Sequence, residues 1–555
     1  MTALLTDNLL LLAGAPNGIK KLRELILELA VRGKLVPQDP SDEPASELLN
    51  LLITEARDIT GRGKAKRQAL PEVCESEQPY ILPNGWAWGR LGDVTEILDS
   101  LRRPVTKQDR KPGPYPYYGA SGVVDYVSAY IFDEPLVLVG EDGAKWGVGE
   151  RTAFSITGKT WVNNHAHVLR PKRDAICDDY LVISLTAQDL SQFITGMTVP
   201  KLNQARLTSI GIPLPPLAEQ HRIVAKVDEL MALCDRLEAQ QADAESAHAQ
   251  LVQALLGSLT QAADTEDFAA SWQRLAAHFH TLFTTESSID ALKQTLLQLA
   301  VMGKLVPQDP TDEPASELMV RLRQERSEWL LSKQDSAPEC KTMLRKLSSL
   351  SEASPPFPLP DSWQAVHLID CSRMLVDCHN KTAPYASEGI PIIRTSNIRN
   401  REFRFDDLKY VNDETYEYWS RRCPPEPGDI MFTREAPMGE AAIIPDGAKF
   451  CLGQRTMLVR PMHGYIDSRY LLITLTEPHL LERASTSAIG STVKHLRVGD
   501  VEQLNIPLPP LAEQQRIVAK VDQLMSLCDS LKARFANSEK LNKQLAAALV
   551  EQAVA

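Results

Sequence analysis

A chain of 555 residues exceeds what one hydrophobic core serves, so roughly two to four domains are expected. Its 43% hydrophobic and 24% charged residues suit an ordinary soluble globular protein, and no run of about 18 apolar residues offers a membrane span. The formal net charge of -12 excludes a chain that coats nucleic acid all over but leaves room for local readers. The nine cysteines show no CxxC pair, and Met1–Leu12 carries only Asp7, not the positive start of a secretory signal. Both point to reduced thiols and a cytoplasmic location.

Asn17–Arg32 spaces Ile19, Leu22, Leu25, Ile26 and Leu29 as an amphipathic helix does, and Gly33 stands where a C-terminal cap belongs. Pro37 and Pro40 force a turn. Pro44 then opens a second helix to about Asp58, followed by a polar basic linker at Gly61–Gln68. Residues 1–81 are therefore a helical region. From 82 to 215, short apolar segments such as Leu136–Val139 and Trp161–Leu169 alternate with Gly, Pro, Asn and Asp, which predicts a mixed, β-rich globule with a helix at Tyr180–Leu185. A long helix over 216–258 follows. Its seam residues Ile223, Val227, Leu230, Cys234 and Leu237 step by four and three, lapse at Gln241 and His248, and return at Leu251 and Leu255.

The chain then repeats itself. Residues 259–358 comprise an irregular connector at Thr260–Phe283 and a second helical region. In that region Leu299–Leu318 reproduces Leu29–Leu48 (LAVRGKLVPQDPSDEPASEL) with only Met302 for Arg32 and Thr311 for Ser41. A second globule occupies 359–509, with strands expected at Ile390–Ile393, Asp429–Phe432 and Ala441–Ile444 and a helix at Tyr470–Leu475. The long helix at 510–555 begins in Ile506–Asp522, which matches Ile212–Asp228 (IPLPPLAEQHRIVAKVD) except for Gln515 in place of His221. Its seam is Ile517, Val521, Leu524, Cys528 and Leu531, returning at Leu545 and Leu549. The two seams would most simply bury against each other; packing of each on its own globule is the other possibility. Scaffold written twice around unlike globules implies one kind of partner met twice and two different ligands. The fold class is α+β: a helical region, a mixed, β-rich globule and a long helix, written twice as an internal repeat.

Catalytic motifs are absent. No (N/D)PP(Y/F) tetrapeptide occurs, the nearest being Ser354–Phe357 in a Ser/Pro-rich run, and Gly61–Lys64 lacks the spacing of a phosphate loop. His165 and His167 alternate as on a strand but lack Cys or acidic partners at ligand spacing, so no metal is expected. The globules do carry phosphate-binding and base-reading side chains. In the first these are Arg102, Arg103, Lys107, Tyr117, Tyr118, Ser121, Lys145, Asn163, Asn164, Thr198 and Lys201. In the second they are Arg394, Thr395, Asn397, Arg399, Arg434, Gln454, Arg455, Thr492 and Lys494.

With PLPPLAEQxRIV repeated after two unlike globules, and Gly119-Ala120-Ser121-Gly122 in the first, the chain resembles the DNA-specificity (S) subunits of type I restriction-modification systems. The GKLVPQDPxDEPASEL blocks resemble the longer members. The resemblance implies a non-catalytic subunit with two target-recognition domains, each reading half of a bipartite, asymmetric site in double-stranded DNA, joined and separated by two long antiparallel helices in a pseudo-twofold internal repeat. It also implies two methyltransferase (M) subunits bringing S-adenosylmethionine, and restriction/translocase (R) subunits bringing ATP and Mg2+. Two other classes compete: a single-chain methyltransferase or nuclease with degenerate motifs, and a purely structural coiled-coil adaptor.

Overall fold

The computed structural model describes residues 9–60, 70–196, 200–263, 265–487 and 495–554; the expected linker at Gly61–Gln68 lies outside them. The chain forms two compact units, one running to Glu245 and taking in the residues from Asn537, the other Ser246–Ala536. The two long helices, Leu217–Gln261 and Leu511–Val554, each begin in one unit and end in the other, in opposite senses.

In the first unit, Gly18–Val31 and Ala45–Thr60 are the expected helices. Gly33 ends the former at φ +68°, with the Lys34 N–H donating to the Leu29 carbonyl. This is a left-handed cap that a Cβ would also block by striking Pro83. Strand Ala87–Arg90 pairs antiparallel with Gly211–Leu214, tying the first strand of the globule to its last. Between them lies a four-stranded sheet in the order Thr95–Ile97, Ala166–Pro171, Leu136–Gly140, Ala153–Ile156. Its residues alternate between two cores. Val137, Val139 and Leu169 face the scaffold helices, while Leu136, Leu138 and Val168 face a second sheet formed by Gly122–Val127, Pro112–Gly119, Lys159–Val162 and Phe132–Asp133.

The second unit repeats this plan. Gln364–His367 pairs with Asn505–Leu508, and the central sheet runs Ser372–Asp377, Thr456–Pro461, Ile430–Arg434, Met438–Ile443. A smaller sheet of Lys409–Val411, Ile390–Ile393 and Cys451–Leu452 covers it. The globules thus differ in sequence but share a sheet order. The apolar segment Trp161–Leu169 falls in two strands, Lys159–Val162 and Ala166–Pro171, because Asn163, Asn164 and His165 form the turn between sheets.

The two duplicated stretches meet. At the start of the first long helix, buried Glu219 accepts from Trp86 Nε1 (3.0 Å) and Gln38 Nε2 (3.2 Å), and Arg222 pairs with Asp42 (2.6 Å). Gln220 donates to the Ala175 and Pro215 carbonyls (2.8 and 3.0 Å) and accepts from the Cys177 N–H (2.9 Å). The Tyr180 hydroxyl donates to the Pro213 carbonyl (2.7 Å). In the second unit Trp363 and Gln308 donate to Glu513, Arg516 pairs with Asp312, Gln514 donates to the Pro509 carbonyl, and Tyr470 donates to the Pro507 carbonyl. The helical block and the Pro-rich turn are the two halves of one joint.

The seams do not chiefly cover each other. Ile223, Val227, Leu230 and Cys234 share a core with Leu22, Leu25 and Leu29 of helix Gly18–Val31, and Leu237 lies at its edge. Arg23 clamps the same contact through Asp235 and Glu238 (2.7 and 2.8 Å). Ile517 and Val521 pack with Leu297, Ala300 and Val301 of helix Glu286–Val301, and Cys528, Leu524 and Leu531 lie with Ile289 and Leu292. The predicted return of the seam holds in part: Leu255 and Leu549 pack partly buried against the cores, whereas Leu251 and Leu545 are exposed and their neighbours Val252 and Ala546 are buried. Each lies 18 residues, or five turns at 3.6 per turn, beyond a buried cysteine (252 − 234 and 546 − 528). A strict seven-residue repeat drifts off one face of a helix with 3.6 residues per turn.

Replacing Gln220 by Ala strands three buried polar groups, so urea denaturation should show a loss of about 2–4 kcal/mol in the unit that carries it. Burial also pushes the Glu219 and Glu513 carboxyls above the usual glutamate range. Stability from such a group is complete below the unfolded range and is lost as pH rises through the raised value. Glu219→Gln should therefore flatten the fall in urea midpoint that the wild type shows as pH rises above the ordinary glutamate range.

Candidate nucleic-acid interface

Each globule has a rim where the strands of its two sheets end. In the first, Gly140 pairs with Ala166, the Asn163 N–H donates to the Tyr118 carbonyl, and the Leu202 N–H donates to the Glu141 carbonyl. In the second, the corresponding links are Thr433 with Thr456, Gly453 N–H to Ile393, and Leu496 N–H to Arg434. The registers make Asn163, Asn164 and His165 correspond to Gly453, Gln454 and Arg455, and Glu141 and Asp142 to Arg434 and Glu435. Lys201 and His495 correspond as well, through bridges to Asp142 and Glu435.

Beneath the rim the two globules carry opposite charge at one place. Glu141 is bound by Arg102 and by Lys201 (2.7 Å), and its carboxylate holds the lysine ammonium above the usual range. Arg434, its counterpart, pairs with Asp377 (2.9 Å) and donates to the Leu496 carbonyl (3.1 Å). Asp99, Glu141 and His167 bring potential ligand atoms within 4.8 Å of one another. Arg102 already lies against both carboxylates, and the two His167 ring nitrogens face Asp99 (2.5 Å) and the Leu202 carbonyl (2.7 Å). The cluster is thus an ion-pair network whose positive charge comes from side chains. His165 turns outward to Asp142 (2.5 Å), so the two histidines do not converge.

The candidate side chains divide into two groups. At the first rim are exposed Ser121 on the hairpin tip, Asn164, Lys145 and, half-exposed, Lys201. Arg103 and Lys107 are exposed on the strand-entry loop, and Tyr118 is half-buried against Phe154. At the second rim, Gln454, Thr395 and Arg394 line a recess of about 220 Å³, and Arg455 is exposed beside Glu435. Thr198, Thr492 and Lys494 lie outside the described residues.

The others are corrected by the structure. Tyr117 is buried beneath Arg110, its ring 4.4 Å from the guanidinium, and Asn163 is buried with its carbonyl capping the His165 N–H. Asn397 is fully buried, donating to the Arg404 and Asp406 carbonyls, and Arg399 donates to Thr395 and Ile398. With Arg102 and Arg434 in ion pairs, these groups shape the rim rather than face outward. The sequence readings missed Glu141, Asp377 and Glu435, whose partners are distant in the chain, Asp99, which joins Arg102 to the distant His167, and Tyr385, which lines the recess.

Residues 83–245 and 375–539 match the family described as the type I restriction modification DNA specificity domain. The chain belongs to this family of specificity subunits. The type I restriction enzyme EcoAI specificity subunit of Escherichia coli is 34% identical over 97% of this chain and 94% of that protein. The EcoEI specificity subunit, also of Escherichia coli, is 32% identical over the same shares. Alignments this long take in the duplicated helical blocks, as the resemblance to longer members anticipated. The HsdS subunit from Thermoanaerobacter tengcongensis, a solved structure, aligns at 20% identity over 86% of this chain and 98% of that one, with a TM-score of 0.41.

Elsewhere this specificity subunit is built for packing. All nine cysteines are free, and burial pushes Cys378 and Cys451 up to about 11 and Cys423 to about 12, which keeps these sulfurs as unreactive thiols at neutral pH. No described helix is long and apolar enough to cross a membrane. Arg102→Ala, leaving Asp99 and Glu141 short of a buried cation, should cost about 3 kcal/mol in urea denaturation. Lys145→Ala, on an exposed rim loop, should leave the urea midpoint unchanged.

Proposed function

We propose that this chain is the non-catalytic subunit that gives a type I restriction-modification complex its sequence specificity. Each globule reads one half of a split, asymmetric site in double-stranded DNA, and the duplicated scaffold seats two methyltransferase subunits and, with them, the restriction/translocase subunits. The observation that carries this reading is a set of identical exposed residues. Pro40, Ser46 and Glu47 are exposed, and so are their copies Pro310, Ser316 and Glu317; Ala218 and Ala225 are matched by Ala512 and Ala519. The joint requires Gln38, Asp42, Glu219, Gln220 and Arg222, but its bonds do not involve these outward positions. The globules between them have diverged, so identity at the surface is best explained by a like partner docking twice about a pseudo-twofold axis. Unlike rims on a common sheet order suit two different half-sites. S-adenosylmethionine, ATP and Mg2+ belong to the partner subunits in this reading, and the setting is cytoplasmic.

Mapping methylated adenines in cells with and without this chain tests the proposal: one split motif should vanish on deletion, whereas loss of a contiguous motif, or of none, counts against it. The exposed stretches of the long helices, Ala242–Ala247 and Ala536–Leu545, set the spacing in this scheme. Removing seven residues around Glu245 and seven around Glu539 takes out about 10 Å of helix, near three base-pair steps. The gap in the recognised motif should shorten accordingly with both half-sites unchanged; altered half-site bases would contradict the spacing role.

A further inference from the structure

The correspondence between the rims singles out one position in each globule. On one side of it the fold uses or lacks a side chain: Asn163 is buried capping the turn, and its counterpart is Gly453. On the other side an acid occupies the side chain: His165 is held by Asp142, and Arg455 by Glu435 (both 2.5 Å). Between them stand Asn164 and Gln454. Both are amides, in globules whose sequences otherwise diverge. Asn164 is exposed. Gln454 borders the recess formed with Thr382, Tyr385, Arg394 and Ser396, and its Oε1 accepts from the Thr382 hydroxyl (3.0 Å), which orients the amide while its NH2 stays available.

A carboxamide carries one donor and one acceptor side by side, matching the adjacent N7 acceptor and N6 donor of adenine in the major groove. We infer that Asn164 and Gln454 are an equivalent pair of specificity-determining residues, each contacting the edge of one adenine in its own half-site. Each would donate from its N–H to N7 and accept from N6–H. This rests on the proposed DNA-reading role and adds to it which side chains read and which base they take. Neighbouring Lys145, exposed on its loop, would serve the backbone, which positions the rim without discriminating between bases.

The test uses the full chain assembled with its methyltransferase subunits and selection from duplexes randomised across both half-sites. Asn164→Asp and Gln454→Glu keep shape and size but replace the donor by an acceptor, which suits the N4 amine of cytosine. Each should lower the preference for adenine at one position of one half-site by roughly ten- to hundred-fold and favour cytosine there, leaving the other half-site unchanged. Unchanged preference at every position, or weakening spread evenly over all sequences, would overturn the assignment. Should an acidic variant unfold, Asn164→Ala and Gln454→Ala serve instead: a single degenerate position supports the pairing, and an undisturbed motif refutes it. A wild-type complex that selects no split motif would bring down the functional reading and this inference together, whereas a split motif indifferent to both residues would remove the inference alone.

Discussion

Where each Pro-rich turn enters a long helix, one glutamine is bonded at both ends of its amide, and a buried glutamate beside it accepts from a tryptophan and a second glutamine. Everything else in the unit is placed from there. The Tyr180 and Tyr470 hydroxyls hold the turn from the globule side, and the Arg222–Asp42 and Arg516–Asp312 pairs hold it from the helical-block side. Partners buried together in this way cannot change singly, because a lone substitution strands a polar group away from water. That accounts for the joint residues of the two stretches, distant in sequence, being the same in both halves.

The joint leaves the rim free to vary. A sheet of fixed order needs only apolar residues alternating on its strands, and both globules supply these with quite different side chains. At the ends of the strands even the sign of a buried charge is interchangeable: Glu141 is neutralised by cations in one globule, and Arg434 by Asp377 in the other. Buried charge is tolerated there because it is paired. A reading surface can thus be rebuilt without touching the core or the joint, which is what a subunit that sets specificity requires.

The duplicated helical block acquires a structural role. Its first helix, not the other seam, covers the start of each long helix, with Arg23 reaching Asp235 and Glu238 in one unit and Lys532 reaching Asp290 (3.1 Å) in the other. Ala546 lies in the same core as helix Gly18–Val31, and Val252 and Leu256 in the same core as helix Glu286–Val301. The short helix therefore packs with the start of one long helix and the end of the other in each unit. The middles of the long helices have no such cover and are polar and exposed.

Much of this was legible in the amino-acid sequence alone. Repetition exposes the duplicated plan, and apolar spacing places the repeated and the long helices within a few residues, but it misses helix Thr265–Ala277, which falls in the stretch read as an irregular connector, and helix Pro338–Ser348. These signals are local, or are matters of self-comparison, and need no knowledge of contacts. What covers the seam was decided only in the tertiary structure, since apolar periodicity marks a buried face without naming its partner and a seven-residue repeat loses register on a helix with 3.6 residues per turn. The same holds for the candidate side chains. Nothing in composition separates Arg102 and Arg434, locked in ion pairs, from Lys145, exposed on a rim loop: Asp99 stands three residues before Arg102, but Glu141 and Asp377 lie 39 and 57 residues from the arginines they hold (141 − 102 and 434 − 377) and are brought close only when the strands pair.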